Sequence, residues 1–177
     1  MRYFREQTEI KNIEKFVSLD PKLGTIKPQK KLVTISIKGA SNLKMRYSDV
    51  SNVSPFFFYQ FYTFDDRYSS NSVGTNPTFN DTYSYEVMVD AKAIQYFEKE
   101  SLEVILFDDN APIAGVALDQ NAGAAENDDM IGMCKIPLTS LVTGCSVHER
   151  YPIRAVDSQT EVGQLEVQID IMELESA

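Results

Sequence analysis

Residues 101–132 read SLEVILFDDNAPIAGVALDQNAGAAENDDMIG. The run from Leu102 to Phe107 is apolar and partly β-branched, the composition of a strand. It leads into three ligand-type side chains, Asp108, Asp109 and Asn110. An Ala- and Gly-rich excursion follows over residues 111–127. The chain then returns through Asp128 and Asp129 into Met130, Ile131 and Gly132. A strand with an acidic tip and an acidic return places polar groups at one end of a sheet, where binding residues concentrate. The open question is whether those carboxylates converge on a metal.

The sequence on either side reads as further short strands. Upstream, Asp90 N-caps a short helix over residues 90–99. Before it, Phe79, Tyr83, Tyr85 and Val87 follow the Asn76-Pro77 turn in strand register. Pro55 opens an aromatic strand from Phe56 to Phe64, with Phe57, Tyr59 and Phe61 on one face and Phe56, Phe58, Tyr62 and Phe64 on the other. A sheet with one wet face should alternate apolar and polar, so this strand is either covered on both sides or carries a contact surface. KLVTISI over residues 31–37 alternates as a strand, and Gly39 to Asn42 turn it. Downstream, strands are expected over 133–136, 149–155 and 164–172, with a tight turn or short helix around Leu138 and Leu141. Residues 5–18 have helical spacing, with Ile10, Ile13, Phe16 and Val17 as an apolar stripe. There is no internal repeat. Short strands separated by turn signals indicate an all-β antiparallel sandwich.

The bulk properties exclude several function classes. The chain has 177 residues and a net charge of -9. It lacks the basic face that phosphate contacts with nucleic acid require, and the same charge disfavours anionic lipid unless a cation bridges the two. No run approaches the ~20 apolar residues of a membrane span, and the N-terminus has no apolar signal core, so a cytoplasmic protein is expected. Cys134 and Cys145 are expected as reduced thiols. One histidine, His148, makes a zinc site an unsuitable reading. No nucleophile motif or Gly-rich phosphate loop is present, so no enzyme activity is expected.

Several segments, in this order, resemble a C2 domain: Gly39-Ala40-Ser41-Asn42-Leu43; Ser54-Pro55-Phe56-Phe57; Asn76-Pro77-Thr78-Phe79-Asn80-Asp81; the run from Leu102 to Asn110; Asp129-x-Ile131-Gly132; Ile136-Pro137-Leu138; and the closing alternation from Gly163 to Ile169. Within that family the chain is similar to the C2 domain of the retinitis pigmentosa GTPase regulator-interacting proteins, which are ciliary transition-zone scaffolds. The resemblance implies an eight-stranded antiparallel β-sandwich of type II topology over residues 30–174. Residues 1–29 would form an extension bearing the amphipathic helix.

It also implies where function would lie. Calcium takes six to eight oxygens, largely carboxylates from separate loops. Here the third loop keeps Asp108 and Asp129 and has Asn110 where a second Asp is usual. Ser54 stands where the first loop has its Asp, and Asp49 is the nearby carboxylate. The expectation is a weak or lost calcium site over Asp49, Asp108, Asp109, Asn110 and Asp129, with Asp108 and Asn110 capping the loop. The family's lysine-rich lipid strand corresponds to residues 65–70, which are acidic with one Arg. Phe58 and Tyr62 are candidate anchors for a protein partner; alternatively the N-terminal helix covers them through Ile13 and Phe16. In the 111–127 insert, Ile113, Val116 and Leu118 are further candidate contacts, and the plain alternative is a mobile loop. The expected function is a non-catalytic scaffold domain bound to other proteins of a cytoskeletal or ciliary assembly, such as the axoneme. The alternative is a calcium-dependent phospholipid-binding protein.

Overall fold

The computed structural model describes residues 27–46, 51–111 and 129–174. The expected N-terminal helix with Ile13 and Phe16, together with Asp49, Ile113, Val116 and Leu118, lies outside the described residues. The elements in chain order are β1 (Gln29–Ser41), β2 (Pro55–Tyr59), β3 (Arg67–Tyr68), β4 (Thr78–Val89), α1 (Ala91–Lys99), β5 (Ser101–Asp108), β6 (Met130–Pro137), α2 (Thr139–Val142), β7 (Val147–Arg154) and β8 (Glu161–Glu173).

The eight strands form one antiparallel array, ordered β3-β2-β5-β6-β7-β8-β1-β4. The array is thin in the middle: β6 and β7 pair only at Met133 with Arg154 and at Cys134 with Ile153. There it folds over, so that its two four-stranded halves face each other. Phe57 of β2 meets Phe79 of β4 edge-to-face at 5.0 Å. The Tyr85 hydroxyl donates to the Tyr59 hydroxyl at 3.2 Å, joining strands that are far apart in the array.

The core between the halves follows from period-two alternation. Val33, Ile35 and Ile37 of β1 and Leu165, Val167 and Ile169 of β8 are buried from one side. Phe57, Tyr59, Leu102, Val104, Leu106, Cys134 and Ile136 are buried from the other. One end of the core is closed by α1. Its N-cap is Asp90, whose Oδ1 accepts the Ala93 N–H at 2.9 Å, and it buries Phe97 beside Phe61.

One sequence expectation needs correction. The aromatic run is not one strand to Phe64, because β2 ends at Tyr59. Tyr62 has φ 51, and the Phe64 N–H closes a turn on the Phe61 carbonyl at 3.0 Å. Phe61 thereby leaves the ladder and packs among Phe64, Tyr85, Tyr96 and Phe97. Tyr83 lies in β4 in the expected strand register; it is 44% exposed where Tyr85 is 4%. Its ring stacks under the guanidinium of Arg67 on β3, which lies 4.5 Å from the ring centre.

Phe61→Ala should lower the unfolding free energy by about 3–5 kcal/mol, the range for an emptied aromatic core site. Val73→Ala, at a position 78% exposed, should stay within about 0.5 kcal/mol of the parent. Urea denaturation checks both.

Candidate functional site

The acidic tip forms where β5 ends. Asp108 is paired across the sheet with Pro55, the first residue of β2, and so lies next to Ser54. It is 2% exposed. A carboxylate that deeply placed must find donors, since unmet polar burial costs several kcal/mol. Its Oδ1 accepts the Ser54 N–H at 2.7 Å and the Asn110 N–H at 3.1 Å. Its backbone N–H donates to the Asp129 carbonyl at 2.8 Å, and its carbonyl accepts the Ala111 N–H at 3.2 Å. One residue therefore joins the first loop, the third loop and the return strand.

Its neighbours are also engaged. The Asp109 N–H donates to the Ser54 carbonyl at 3.0 Å. Asn71 Nδ2 donates to Asp109 Oδ2 at 2.7 Å and, more weakly, to Ser54 Oγ at 3.3 Å. Asn110 Nδ2 donates to the Asn52 carbonyl at 2.8 Å. The structure thus gathers Asp108, Asp109, Asn110 and Asp129 at one tip, with the side chains of Asp108, Asp109 and Asn110 in loop hydrogen bonds and the Asp129 backbone carbonyl accepting the Asp108 N–H. Among the described residues no three His, Cys, Asp or Glu side chains come together to hold a metal. The sequence marked Ser54 as the odd residue of the first loop. It carried no signal for Asn52 or Asn71, which are joined to the tip only by long-range folding.

The aromatic face differs from its expected form. Phe58 pairs with Tyr68 of β3 and is half-buried under its ring at 5.0 Å. Phe56 stacks on Phe107 at 5.5 Å. The large exposed ring here is Tyr68, 48% accessible, which the sequence placed in an acidic loop. Tyr62 is not on this strand face. Its backbone N–H donates to the Tyr96 hydroxyl at 3.1 Å, and burial pushes the Tyr96 hydroxyl up to about 12. Arg67, the one cation of residues 65–70, is forked onto both carboxylate oxygens of Asp81 at 3.1 and 2.9 Å.

Cys134 is buried, and burial pushes its thiol up to about 12. Cys145 is exposed. Among the described residues no helix is long and apolar enough to cross a membrane.

The model of the first C2 domain of RPGR-interacting protein 1 matches residues 23–173. X-linked retinitis pigmentosa GTPase regulator-interacting protein 1 of Bos taurus is 30% identical over 129 residues, covering 72% of this chain and 9% of that protein. Its Mus musculus counterpart is 27% identical over 118 residues, covering 66% and 8%. The chain thus spans less than a tenth of the length of these relatives. Among solved structures, a C2 domain of plant extended synaptotagmin 1 has a TM-score of 0.55 at 14% identity, covering 85% of this chain and all of that one. A C2 domain-containing protein from a putative elicitor-responsive gene has a TM-score of 0.54 at 19% identity, covering 87% and 98%.

Asp108→Ala should destabilise the domain by about 1–3 kcal/mol for each N–H left without its acceptor. Asp108→Asn keeps a carbonyl oxygen and should lose distinctly less. Denaturation in the presence of a calcium chelator separates this loop-tying role from any metal effect. At neutral pH a thiol reagent should label Cys145 promptly and Cys134 only after denaturation, counted by mass spectrometry.

Proposed function

From a chain that belongs to the family of the first C2 domain of RPGR-interacting protein 1, we propose a non-catalytic interaction module that holds other proteins in a larger assembly. The observation that carries this reading is the state of the loop tip. The Asp108 and Asp109 carboxylates are engaged in backbone and amide hydrogen bonds. Anionic lipid would need a bridging cation, and the net charge of -9 opposes such a surface directly.

The contact surface in this reading is the outer face of β2 and β3, where Phe58 and Tyr68 form an aromatic pair. Aromatic residues are enriched among interface anchors. A cytoplasmic location and a ciliary or cytoskeletal assembly belong to the same proposal, supported by the relatives' family. So do the domain limits 30–174 and the type II strand order, the latter supported by β8 lying beside β1.

The test is replacement of the aromatic pair by serine, Phe58→Ser with Tyr68→Ser, followed by affinity purification from cells of the source organism. The expected result is loss of co-purifying proteins with the thermal unfolding transition retained. Retention of the same partners would remove this face from the reading. Vesicle sedimentation tests the competing calcium-dependent lipid reading. Saturable, calcium-dependent binding to phosphatidylserine vesicles that disappears in Asp109→Asn with Asp129→Asn would replace the scaffold reading.

A further inference from the structure

The ladders of the half containing β2 and β5 fix what its outer side carries. Phe57, Tyr59, Val104, Leu106, Cys134 and Ile136 belong to the core. Strand alternation therefore sends the residues between them outward. On that outer side one row of cross-strand partners runs Tyr68, Phe58, Ile105 and Met133. A second row pairs Phe56 with Phe107, whose rings stack at 5.5 Å. Ile105 is 7% exposed yet stands apart from the core between the halves. A sheet with a wet face would set polar residues at these positions. Here four adjacent strands share one apolar block, with Tyr68 exposed at its margin.

The block has the size of a helix. Neighbouring strands lie about 4.8 Å apart, and alternate residues of one strand about 6.7 Å apart. Four strands by two rows therefore make a block of about 14 Å by about 7 Å. Three turns of α-helix rise about 16 Å on a cylinder about 10 Å wide, so one helix covers it. An added strand does not fit this face, because β2 and β5 are each paired on both edges. The apolar face of a sheet is closed by the apolar stripe of another element.

The rim of the block is acidic. Along the outer side of β5, Glu103 precedes Ile105, and Asp109 follows Phe107 where the strand ends. Asp65 and Asp66 adjoin β3 beside Tyr68. The cations near them are committed elsewhere. Arg67 is forked on Asp81, and Lys135 lies 2.8 Å from Glu103. Arg154, which continues the Met133 row, donates from Nη1 to the Gln159 carbonyl at 3.1 Å. An acidic rim favours the opposite sign in whatever covers the block. The chain's net charge of -9 acts in the same direction.

We propose that this face receives an amphipathic helix of a protein partner, with an apolar stripe at i, i+3, i+4 and i+7 and lysines or arginines beside the stripe. The inference rests on the interaction-module reading and names the chemistry of the partner. The stripe meets Phe58, Ile105 and Met133, and the basic flanks meet Asp65, Asp66 and Asp109. A second copy of this chain fits less well, because it would set one acidic rim against another.

The probe is a fluorescein-labelled Leu/Lys peptide of helical period, titrated with the full chain and followed by anisotropy. A Leu/Glu peptide of the same period and a Leu/Lys peptide of scrambled order serve as comparators. The expected result is saturable binding of the periodic Leu/Lys peptide alone. Tyr68→Ser should weaken it at least about tenfold, and Asp65→Asn with Asp66→Asn at least about threefold. Glu161→Gln with Glu173→Gln, which removes the same charge from the other half, should leave it unchanged. Equal urea midpoints establish that no variant has unfolded. The assignment is overturned if the periodic Leu/Lys peptide does not bind, if either comparator binds as tightly, or if Tyr68→Ser or the Asp65 and Asp66 pair leaves binding unchanged. It is also overturned if the free chain sediments as a dimer that Tyr68→Ser dissociates, which would give the face to a second copy. A chain that fails here yet still co-purifies with partners through Phe58 and Tyr68 loses the helix assignment alone. A chain that binds the peptide on this face but enters no assembly loses the module reading alone.

Discussion

A carboxylate that is 2% exposed has to be satisfied inside the protein, and Asp108 imposes that demand on three segments at once. The Ser54 N–H comes from the first loop, the Asn110 N–H from its own turn, and the Asp129 carbonyl from the return strand. β5 is central in its half of the array, paired with both β2 and β6. Fixing its end therefore fixes where both neighbours begin. The acidic tip works as a clasp for the sheet. The carboxylate that makes it a clasp is that of Asp108, whose Oδ1 holds two backbone N–H groups.

The strands were legible wherever the alternation was unambiguous. β8 alternates Leu165, Val167 and Ile169 with Glu166 and Gln168, and β1 alternates Val33, Ile35 and Ile37 with Thr34 and Ser36. The odd-numbered members of both sets are buried. The Asp90 cap was equally visible, because an N-cap is a local contact. The aromatic run was not, because Phe56 to Phe64 lacks polar punctuation. The strand ends where Tyr62 takes a positive φ to seat Phe61 against α1, a tertiary requirement with no local mark. At the tip the ligand-type residues were visible, whereas the amides of Asn52 and Asn71 that share it were not.

The charge distribution sharpens the same contrast. Half of the described Lys and Arg side chains are in ion pairs: Lys30 with Glu86, Lys31 with Glu173, Arg46 with Asp157, Arg67 with Asp81, Lys135 with Glu103 and Arg150 with Glu166. Exposed pairs of this kind contribute about 0–1 kcal/mol each, so they add little to stability. Arg67 is the instructive case. Its guanidinium is forked on Asp81 and stacked on Tyr83. It serves as an edge clamp between β3 and β4.

The aromatic pair of Phe58 and Tyr68 lies on the outer face of the half containing β2 and β5, with ring centres 5.0 Å apart and Tyr68 48% exposed. Contacts made by such a face depend little on ionic strength, whereas surface charges are screened over about 10 Å at ordinary salt. The ladder that sets Phe58 opposite Tyr68 already orders both rings, so covering them with another surface costs little further side-chain freedom.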